Sequence, residues 1–424
     1  MKLTARLAPA ATAIALALPS HPAVADSQGR ADSGVPEVIV TAERRDADSQ
    51  SVPLSVSVIT AEDLRSLALN DTVDLPFAVP GLQFDQYAEE ATPFIRGVGS
   101  PSGVMGNETS VAMYVDGVYL AQPDAAVFQL EGVRQVEVLE GPQGTLFGRN
   151  ATGGVIQVMT RTPEVKPSTQ VDLQYGSYNT VGGSLYTTGG LGTSTAANLS
   201  LFGRDQRDGW GTNLATGAGT FRHRNYGARA EFLWTPDTQT RVLLTASHFY
   251  KNGEDGMSHH FVPGAVGVDG VTTFSGYYNS SSDPQDRAEV RHTLISARVE
   301  HDFSAVRLVS ITSWQSLDAF LEVDQDATPA VIVDVPAAQY GRTITQEVQL
   351  LSQSDTPLQW IAGLYYLNDI SAYDPFTLKC GGIAARINPD LEPAAFRVLC
   401  RFWPSHDPSD LAASLYPRQS IYPG

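Results

Sequence analysis

The chain has 424 residues, of which 42% are hydrophobic and 17% charged, and its formal net charge is -18 at pH 7. This acidic balance argues against nucleic acid as a partner, because phosphate binding requires clustered Lys and Arg. Beyond the N-terminus no apolar stretch approaches the length of a membrane-spanning helix, so the composition excludes a helical membrane protein. It does not exclude a β-barrel, whose strands alternate and never produce a long apolar run.

The N-terminus predicts export. Lys2 and Arg6 precede an apolar run from Leu7 to Leu18, and the small residues Ala23-Val24-Ala25 follow. This is the pattern of a secretory signal peptide, residues 1–25. A membrane anchor is the alternative, but it needs about 17 to 25 apolar residues, and Pro19 ends this run early. An exported protein has no access to cytoplasmic nucleotides.

Residues 26–51 predict a flexible leader, because they are polar and too poor in apolar side chains to pack. Within the leader, "EVIVTAERRD", Glu37 to Asp46, contains a short β-branched run between polar flanks. One interpretation is an edge strand of the following domain. The other is a strand that stays free to add to the sheet edge of another protein, and its position on a leader favours this second interpretation.

Residues 52–165 predict one small α+β domain. Thr60, with Asp63 three residues later, is an acidic variant of the capping box and predicts the start of a short helix. Short β-branched runs lie on both sides of it. Asp116-Gly117 stands between two of these runs and predicts a hairpin turn.

The stretch "EVLEGPQGTLFGRNATGGVIQV" is rich in glycine, at Gly141, Gly144, Gly148, Gly153 and Gly154. A glycine-rich turn between a strand and a helix can cradle phosphates, but this one lacks the Lys-Ser/Thr pair and the G-x-G-x-x-G spacing of nucleotide sites. The remaining explanation is packing, since only glycine tolerates positive φ or a close backbone approach. We therefore predict a packing role.

Residues 166–373 alternate in the way expected of strands between lipid and a wet lumen. In "TQVDLQYG" the apolar Val171, Leu173 and Tyr175 alternate with polar neighbours. About nine such strands can be counted. Short links alternate with longer ones at 205–224, 251–291 and 316–341, as in outer-membrane barrels. A soluble β-sandwich is the alternative, but it would not put polar residues on one face of every strand.

These motifs resemble, in order, those of TonB-dependent outer-membrane receptors. The resemblance rests on "EVIVTAERRD", "PFIRGVGS", "VAMYVDGVYL" and "VRQVEVLEGPQGTLFGRNATGGVIQVMTRTP". It implies an α+β plug domain, followed by an antiparallel transmembrane β-barrel of 22 strands around it. Arg96 matches an arginine that pairs with barrel glutamates in the family. The implied TonB box is Glu37, Val38, Ile39, Val40, Thr41 and Ala42.

The resemblance implies energy-coupled import across the bacterial outer membrane. The implied partners are TonB with its inner-membrane energising complex, outer-membrane lipid and a small-molecule ligand, with ferric siderophore as the default. A non-iron ligand such as a glycan or an aromatic compound is an alternative. The candidate ligand contacts lie in the connection 251–291 and are Phe274, Tyr277 and Tyr278.

No catalytic motif supports an enzyme. The chain has neither a G-x-S-x-G elbow nor an H-E-x-x-H helix. His259 and His260 are adjacent and do not share one face of a regular element, so they predict loop surface. We therefore predict no catalytic residue, no cofactor and no metal site.

Nine strands fall far short of the 22 that the resemblance implies. Residues 374–424 lose the alternation, and we interpret them as an outer loop or as aberrant, out-of-frame sequence. Cys380 and Cys400 lie within this tail and could form a disulfide. An open sheet leaves two unpaired edges, which lipid does not tolerate. We therefore expect an incomplete transporter that does not transport alone, and a non-transporting remnant or plug-only product is the competing interpretation.

Overall fold

A computed structural model describes residues 39–41, 44–45, 47–48, 51–87, 90–100, 106–253, 261–284, 286–353, 358–377 and 379–380. Several predictions fall outside these residues: the signal peptide, the tail beyond residue 380, Glu37, Val38, Ala42, His259, His260 and Cys400. In the described part, no helix is both long and apolar enough to cross a membrane.

The N-terminal domain contains two short helices, two 3-10 helices and ten short strands. The helices are α1 (Ala61–Ser66) and α2 (Gly144–Phe147), and the 3-10 helices are Thr72–Phe77 and Pro123–Ala126. The strands are β1 (Ile39–Val40), β2 (Ala47–Asp48), β3 (Val56–Thr60), β4 (Leu82–Tyr87), β5 (Glu90–Ile95), β6 (Val98–Gly99), β7 (Val111–Val115), β8 (Val118–Tyr119), β9 (Val133–Glu140) and β10 (Gly154–Thr160).

The core of this domain is a five-stranded sheet of order β3-β9-β10-β7-β8. β10 runs parallel to β7 and antiparallel to β9, and its burial is nearly complete because both faces are covered. A second sheet has the order β4-β5-β6, and β1 pairs only with β2. The predicted α+β domain is present in this form.

The predicted local signals occur in the structure. Thr60 Oγ1 accepts from the Asp63 N–H, and Asp63 Oδ2 accepts from the Thr60 N–H at 2.9 Å, so the capping box begins α1. At the β7–β8 hairpin, Asp116 and Gly117 both have positive φ, 50° and 86°. Both central residues of a type I′ turn need such angles, which explains this pair of residue types.

The second part of the chain is a meander of nine long antiparallel strands. They are β11 (Ser168–Gly176), β12 (Thr180–Gly190), β13 (Thr195–Gln206), β16 (His223–Trp234), β17 (Thr240–Gly253), β18 (Arg287–Asp302), β19 (Val306–Asp324), β20 (Val333–Ser352) and β21 (Ile361–Phe376). Two short strands, β14 (Gly211–Thr212) and β15 (Gly219–Thr220), form a hairpin in one connection. The short β22 (Lys379–Cys380) pairs with β20. The predicted antiparallel sheet of about nine strands is confirmed.

Consecutive long strands are neighbours throughout, and β11 and β21 lie at the two edges of the described sheet. Along β11, Leu173 and Tyr175 are 85% and 77% exposed, as side chains that face lipid must be. On the other face, the sheet packs on the N-terminal domain. Leu294, Val309 and Ile311 of the sheet share one hydrophobic cluster with residues of that domain.

One predicted connection is wrong. We expected a long link at 316–341, but β19 continues to Asp324 and β20 begins at Val333. A tilted strand crosses the hydrocarbon with about 9 to 11 residues, so these two strands continue well beyond it. Their outer parts carry charged residues that weaken the alternation, while cross-strand hydrogen bonds maintain the pairing in water.

Candidate functional site

The described residues of the predicted TonB box lie on the N-terminal domain. Ile39 and Val40 pair with Asp48 and Ala47, and Val40 is fully buried. Val40 belongs to a hydrophobic cluster that includes Tyr114 and other buried residues of the domain. The expectation of a free strand is therefore not met by these residues. These residues pack back on the N-terminal domain, and a local sequence pattern does not predict such a contact.

A buried carboxylate holds the next residue of the box. Glu137 is 0% exposed, and its Oε1 and Oε2 accept from the Thr41 N–H at 2.9 and 3.1 Å. Its other donors are the Thr41 hydroxyl, Gln135 Nε2 and Gln157 Nε2. Burial raises the pKa of Glu137, and the hydrogen bond from the Thr41 N–H opposes that rise.

Two arginines after the box contact the long-stranded sheet. Arg44 lies 3.5 Å from Glu347 of β20, and its guanidinium stacks 4.3 Å from the centre of the Phe147 ring. Arg45 Nη1 and Nη2 donate to the Ser352 carbonyl and hydroxyl, and Nη2 also donates to the Trp360 carbonyl. The segment is therefore held by the N-terminal domain on one side and by the short β20–β21 connection on the other.

Arg96 does not have the partner that the resemblance implies. Its guanidinium lies 2.5 Å from Glu140, at the end of β9, and donates to Ser55. Both partners belong to the N-terminal domain, and the Arg96 side chain is 60% exposed. The implied pairing with a barrel glutamate is not found among the described residues. Arg96 and Gly97 form the turn between β5 and β6, and both have positive φ.

Other polar side chains join the domain to the sheet. Glu231 of β16 is nearly fully buried and accepts from Thr160 Oγ1 and Asn198 Nδ2, each at 2.8 Å. Gln122 Nε2 donates to Asp369 of β21. Sequence reasoning missed these residues. The one available signal was a charged residue at an inward position of an alternating strand, as at Glu231.

The three candidate ligand contacts lie in the connection between β17 and β18. Phe274 and Tyr277 contact each other with ring centres 5.1 Å apart, and Tyr277 and Tyr278 are exposed. Tyr278 also meets Phe221 of a neighbouring connection. Phe221 stacks on Trp210, which the sequence analysis did not single out. Exposed aromatic rings from two connections thus lie side by side.

Comparison with known proteins identifies the N-terminal domain. A model of the family described as "TonB-dependent Receptor Plug Domain" matches residues 48–155. Residues 48–155 are therefore similar to the plug domains of TonB-dependent receptors. The N-terminal domain is a plug domain, the nine-stranded sheet has the fold of the barrel strands in similar receptors, and the chain is located in the bacterial outer membrane. The family consists of receptors and transporters.

Curated relatives match part of the chain. The pesticin receptor of Yersinia pestis is 32% identical over 149 residues, which cover 34% of this chain and 22% of the receptor. The iron-regulated outer membrane virulence protein of Vibrio cholerae is 29% identical over 218 residues, which cover 48% of this chain and 32% of that protein. The matched stretches therefore cover about a fifth to a third of the length of these relatives.

Solved structures share the fold over a longer stretch. The ferric yersiniabactin uptake receptor FyuA from Yersinia pestis superimposes with a TM-score of 0.64 at 23% identity, over 76% of this chain and 50% of FyuA. The ferric-catecholate import receptor Fiu from E. coli K12, in its open form, has a TM-score of 0.63 at 17% identity, over 82% and 55%. The chain spans about half the length of these receptors.

Proposed function

We propose that this chain belongs to a receptor that imports a scarce ligand across the outer membrane with energy delivered by TonB. The observation that carries the proposal is the box segment, a short strand held on the plug by one buried carboxylate and a few contacts. Because a strand of two residues pairs weakly, it can exchange its partner for the sheet edge of TonB. Ligand binding at the outer face would favour this exchange.

The ligand class that we propose is a ferric siderophore. Support comes from the names of similar proteins, which include receptors for ferric yersiniabactin and ferric catecholates. An aromatic or glycan ligand is the second candidate, favoured by the exposed rings of Tyr277, Tyr278 and Trp210 at the outer side. Such rings stack on planar or sugar surfaces.

Uptake by cells tests the proposal. Cells without other iron receptors express the gene with the DNA that follows it in the genome, and accumulation of ⁵⁵Fe is measured with catecholate, hydroxamate and phenolate siderophores, in the presence and absence of TonB. We expect at least one siderophore to be accumulated only when TonB is present. Uptake that is equal without TonB would contradict energy coupling, and uptake of a glycan alone would replace the ligand class.

A second version of the gene, ending after the codon for Gly424, tests whether the described strands can transport without further sequence. We propose that this shorter product does not transport, because β11 and β21 lie unpaired at the edges of the described sheet. TonB-dependent uptake by the shorter product would overturn that part of the proposal.

A further inference from the structure

Three aspartates from separate segments meet at the outer end of the sheet. Asp283 precedes β18, Asp324 ends β19 and Asp334 lies at the start of β20. One carboxylate oxygen of each lies within 4.8 Å of the others. This is the end of the longer connections, which lies outside the cell in outer-membrane barrels.

Two of these carboxylates are buried and incompletely paired. Asp324 is 0% and Asp334 is 3% exposed. Asp324 Oδ1 accepts from the backbone N–H groups of Asp326 and Ala327, at 2.8 and 2.9 Å. In the described part of the chain, Asp324 Oδ2 and Asp334 Oδ1 have no hydrogen-bond partner, and neither has Asp283 Oδ1. Buried oxygens without partners are costly, and charged ones more so.

The neighbouring side chains supply only part of the missing positive charge. Lys379 is opposite Asp334 in the sheet register, but its Nζ lies 2.9 Å from Glu322 Oε1. Asp326 adds another carboxylate, which already accepts from the Val333 N–H. Acidic groups therefore outnumber the lysine at this point.

We propose that Asp283, Asp324 and Asp334 bind one divalent cation, Ca²⁺. The cluster offers only carboxylate oxygens, the ligands of hard cations, whereas zinc sites use His and Cys. Ca²⁺ is preferred to Mg²⁺ because it accepts ligands at irregular angles, and these ligands come from three separate segments. The sequence analysis predicted no metal site, because Asp283 is distant in sequence from the other two aspartates and strand pairing is needed to bring Asp324 and Asp334 together.

Such a site would attach one outer connection to another. Asp283 lies near the end of the stretch 261–284, which carries Phe274, Tyr277 and Tyr278, and the other two aspartates flank the β19–β20 connection. Bound Ca²⁺ would hold this stretch against the β19–β20 hairpin. The inference does not depend on which ligand is imported or on TonB.

Binding of ⁴⁵Ca²⁺ to the purified full chain in detergent tests the site by equilibrium dialysis. We expect one site per chain, with a dissociation constant of about 10⁻⁴ to 10⁻³ M, as in other extracellular calcium sites. The double variant Asp324→Asn/Asp334→Asn should bind about tenfold more weakly or worse, because affinity follows the number of charged ligands. Asp318→Asn is the matched control, an exposed aspartate of the same strand that pairs with Arg342.

Thermal unfolding distinguishes a bound Ca²⁺ from the alternative explanation, in which neighbouring carboxyl groups share a proton and bind no metal. For a metal site, Ca²⁺ raises the melting temperature of the wild type and of Asp318→Asn but not of the double variant. Asp283→Asn, outside the strands, gives the same readout if the double variant does not fold. Equal Ca²⁺ binding by wild type and variants would overturn the proposal. So would a folded wild type, verified by circular dichroism, that does not bind Ca²⁺.

Discussion

Gly154 occupies a position where a side chain does not fit. A Cβ there would lie 2.4 Å from the Leu139 carbonyl and 2.6 Å from Ile95 Cδ1, and φ is 153°. Gly154 therefore lets β9 and β10 pack closely, as predicted, whereas Gly141 and Gly148 of the same stretch serve turns that need positive φ. At the barrel wall, Gly117 shows the same effect, since a Cβ there would lie 2.9 Å from Ile311 Cδ1.

We predict that Gly154→Ala destabilises the plug by about 1–3 kcal/mol, the usual cost of overpacking. Hydrogen exchange of β9 and β10, followed by mass spectrometry, measures the change. Gly144→Ala is the control, because no atom lies within 4 Å of its Cβ position. If the two variants exchanged alike, the packing explanation would be wrong.

Glu137 has two opposing effects on the plug. Its pKa is raised by burial, so the folded state takes up a proton at a higher pH than the unfolded state. The stability contributed by this group therefore falls as pH rises from its ordinary pKa through the raised value. The hydrogen bond from the Thr41 N–H to Glu137 has the opposite pH dependence. It is stronger when the carboxylate is charged, so it weakens as pH falls through the raised pKa.

We predict that Glu137→Gln loosens the box without unfolding the plug. A hydrogen bond to a charged group contributes about 1.5–3 kcal/mol, so exchange of the amides at 39–41 should accelerate roughly tenfold or more at neutral pH. In the wild type, the free energy of opening at residues 39–41 should change with pH around the raised pKa of Glu137. In Glu137→Gln this pH dependence should be lost. Glu140→Gln, on the same strand but paired with Arg96, should leave the box unchanged. An unaltered box in Glu137→Gln would show that other contacts hold it.

Among the elements, β1 is one of the shortest, and Val40 is its buried anchor. It consists of two residues, pairs with β2 alone, and is held further by Gln135 Nε2 donating to the Ile39 carbonyl at 3.0 Å. A strand so short adds little stability of its own. This is the property that a segment needs if it is to leave the plug and pair with a partner.

We predict that Ile39→Pro abolishes TonB-dependent uptake while ligand binding at the cell surface persists. Proline removes the backbone N–H that a paired strand donates. Ile39→Ala retains that N–H and should transport nearly as well as the wild type. Uptake assays with labelled ligand, together with binding at 4 °C, distinguish the two steps. Undiminished uptake by Ile39→Pro would refute the box assignment.

On the scale of the whole molecule, the plug and the sheet depend on each other. Leu75 and Val136 of the plug lie in one cluster with Val309 and Ile311 of the sheet, and Glu231 links the two by hydrogen bonds. Within the described residues the sheet ends at β11 and β21, whose apolar side chains are exposed. In lipid, backbone groups at such edges need partners.

We predict that the product ending at Gly424 shows no heat-modifiable migration on gels run with unboiled samples. A closed barrel resists detergent at room temperature, whereas an open sheet has two edges from which it can unfold. The gene continued with the downstream DNA provides the comparison. A compact band for the shorter product that shifts on boiling would show that it closes without further strands.

The sequence by itself determined the order of the elements, because capping boxes, hairpin turns and strand alternation are local signals. Thr60, Asp116-Gly117 and the alternation in β11 each specify their own neighbourhood. The β19–β20 connection was predicted too long, because its length depends on what lies across the fold. The pairing of Arg96 with a barrel glutamate stays a prediction, and among the described residues Arg96 pairs with Glu140.

Only the tertiary structure decided which distant residues meet. Three contacts join segments that share no sequence motif. They are Glu137 with Thr41, Arg45 with Ser352, and Asp283 with the two aspartates of the β19–β20 hairpin. Their contacts follow from the pairing register of the strands and from the seating of the plug. Burial then gives these carboxylates their properties, because a charge removed from water must find a partner nearby.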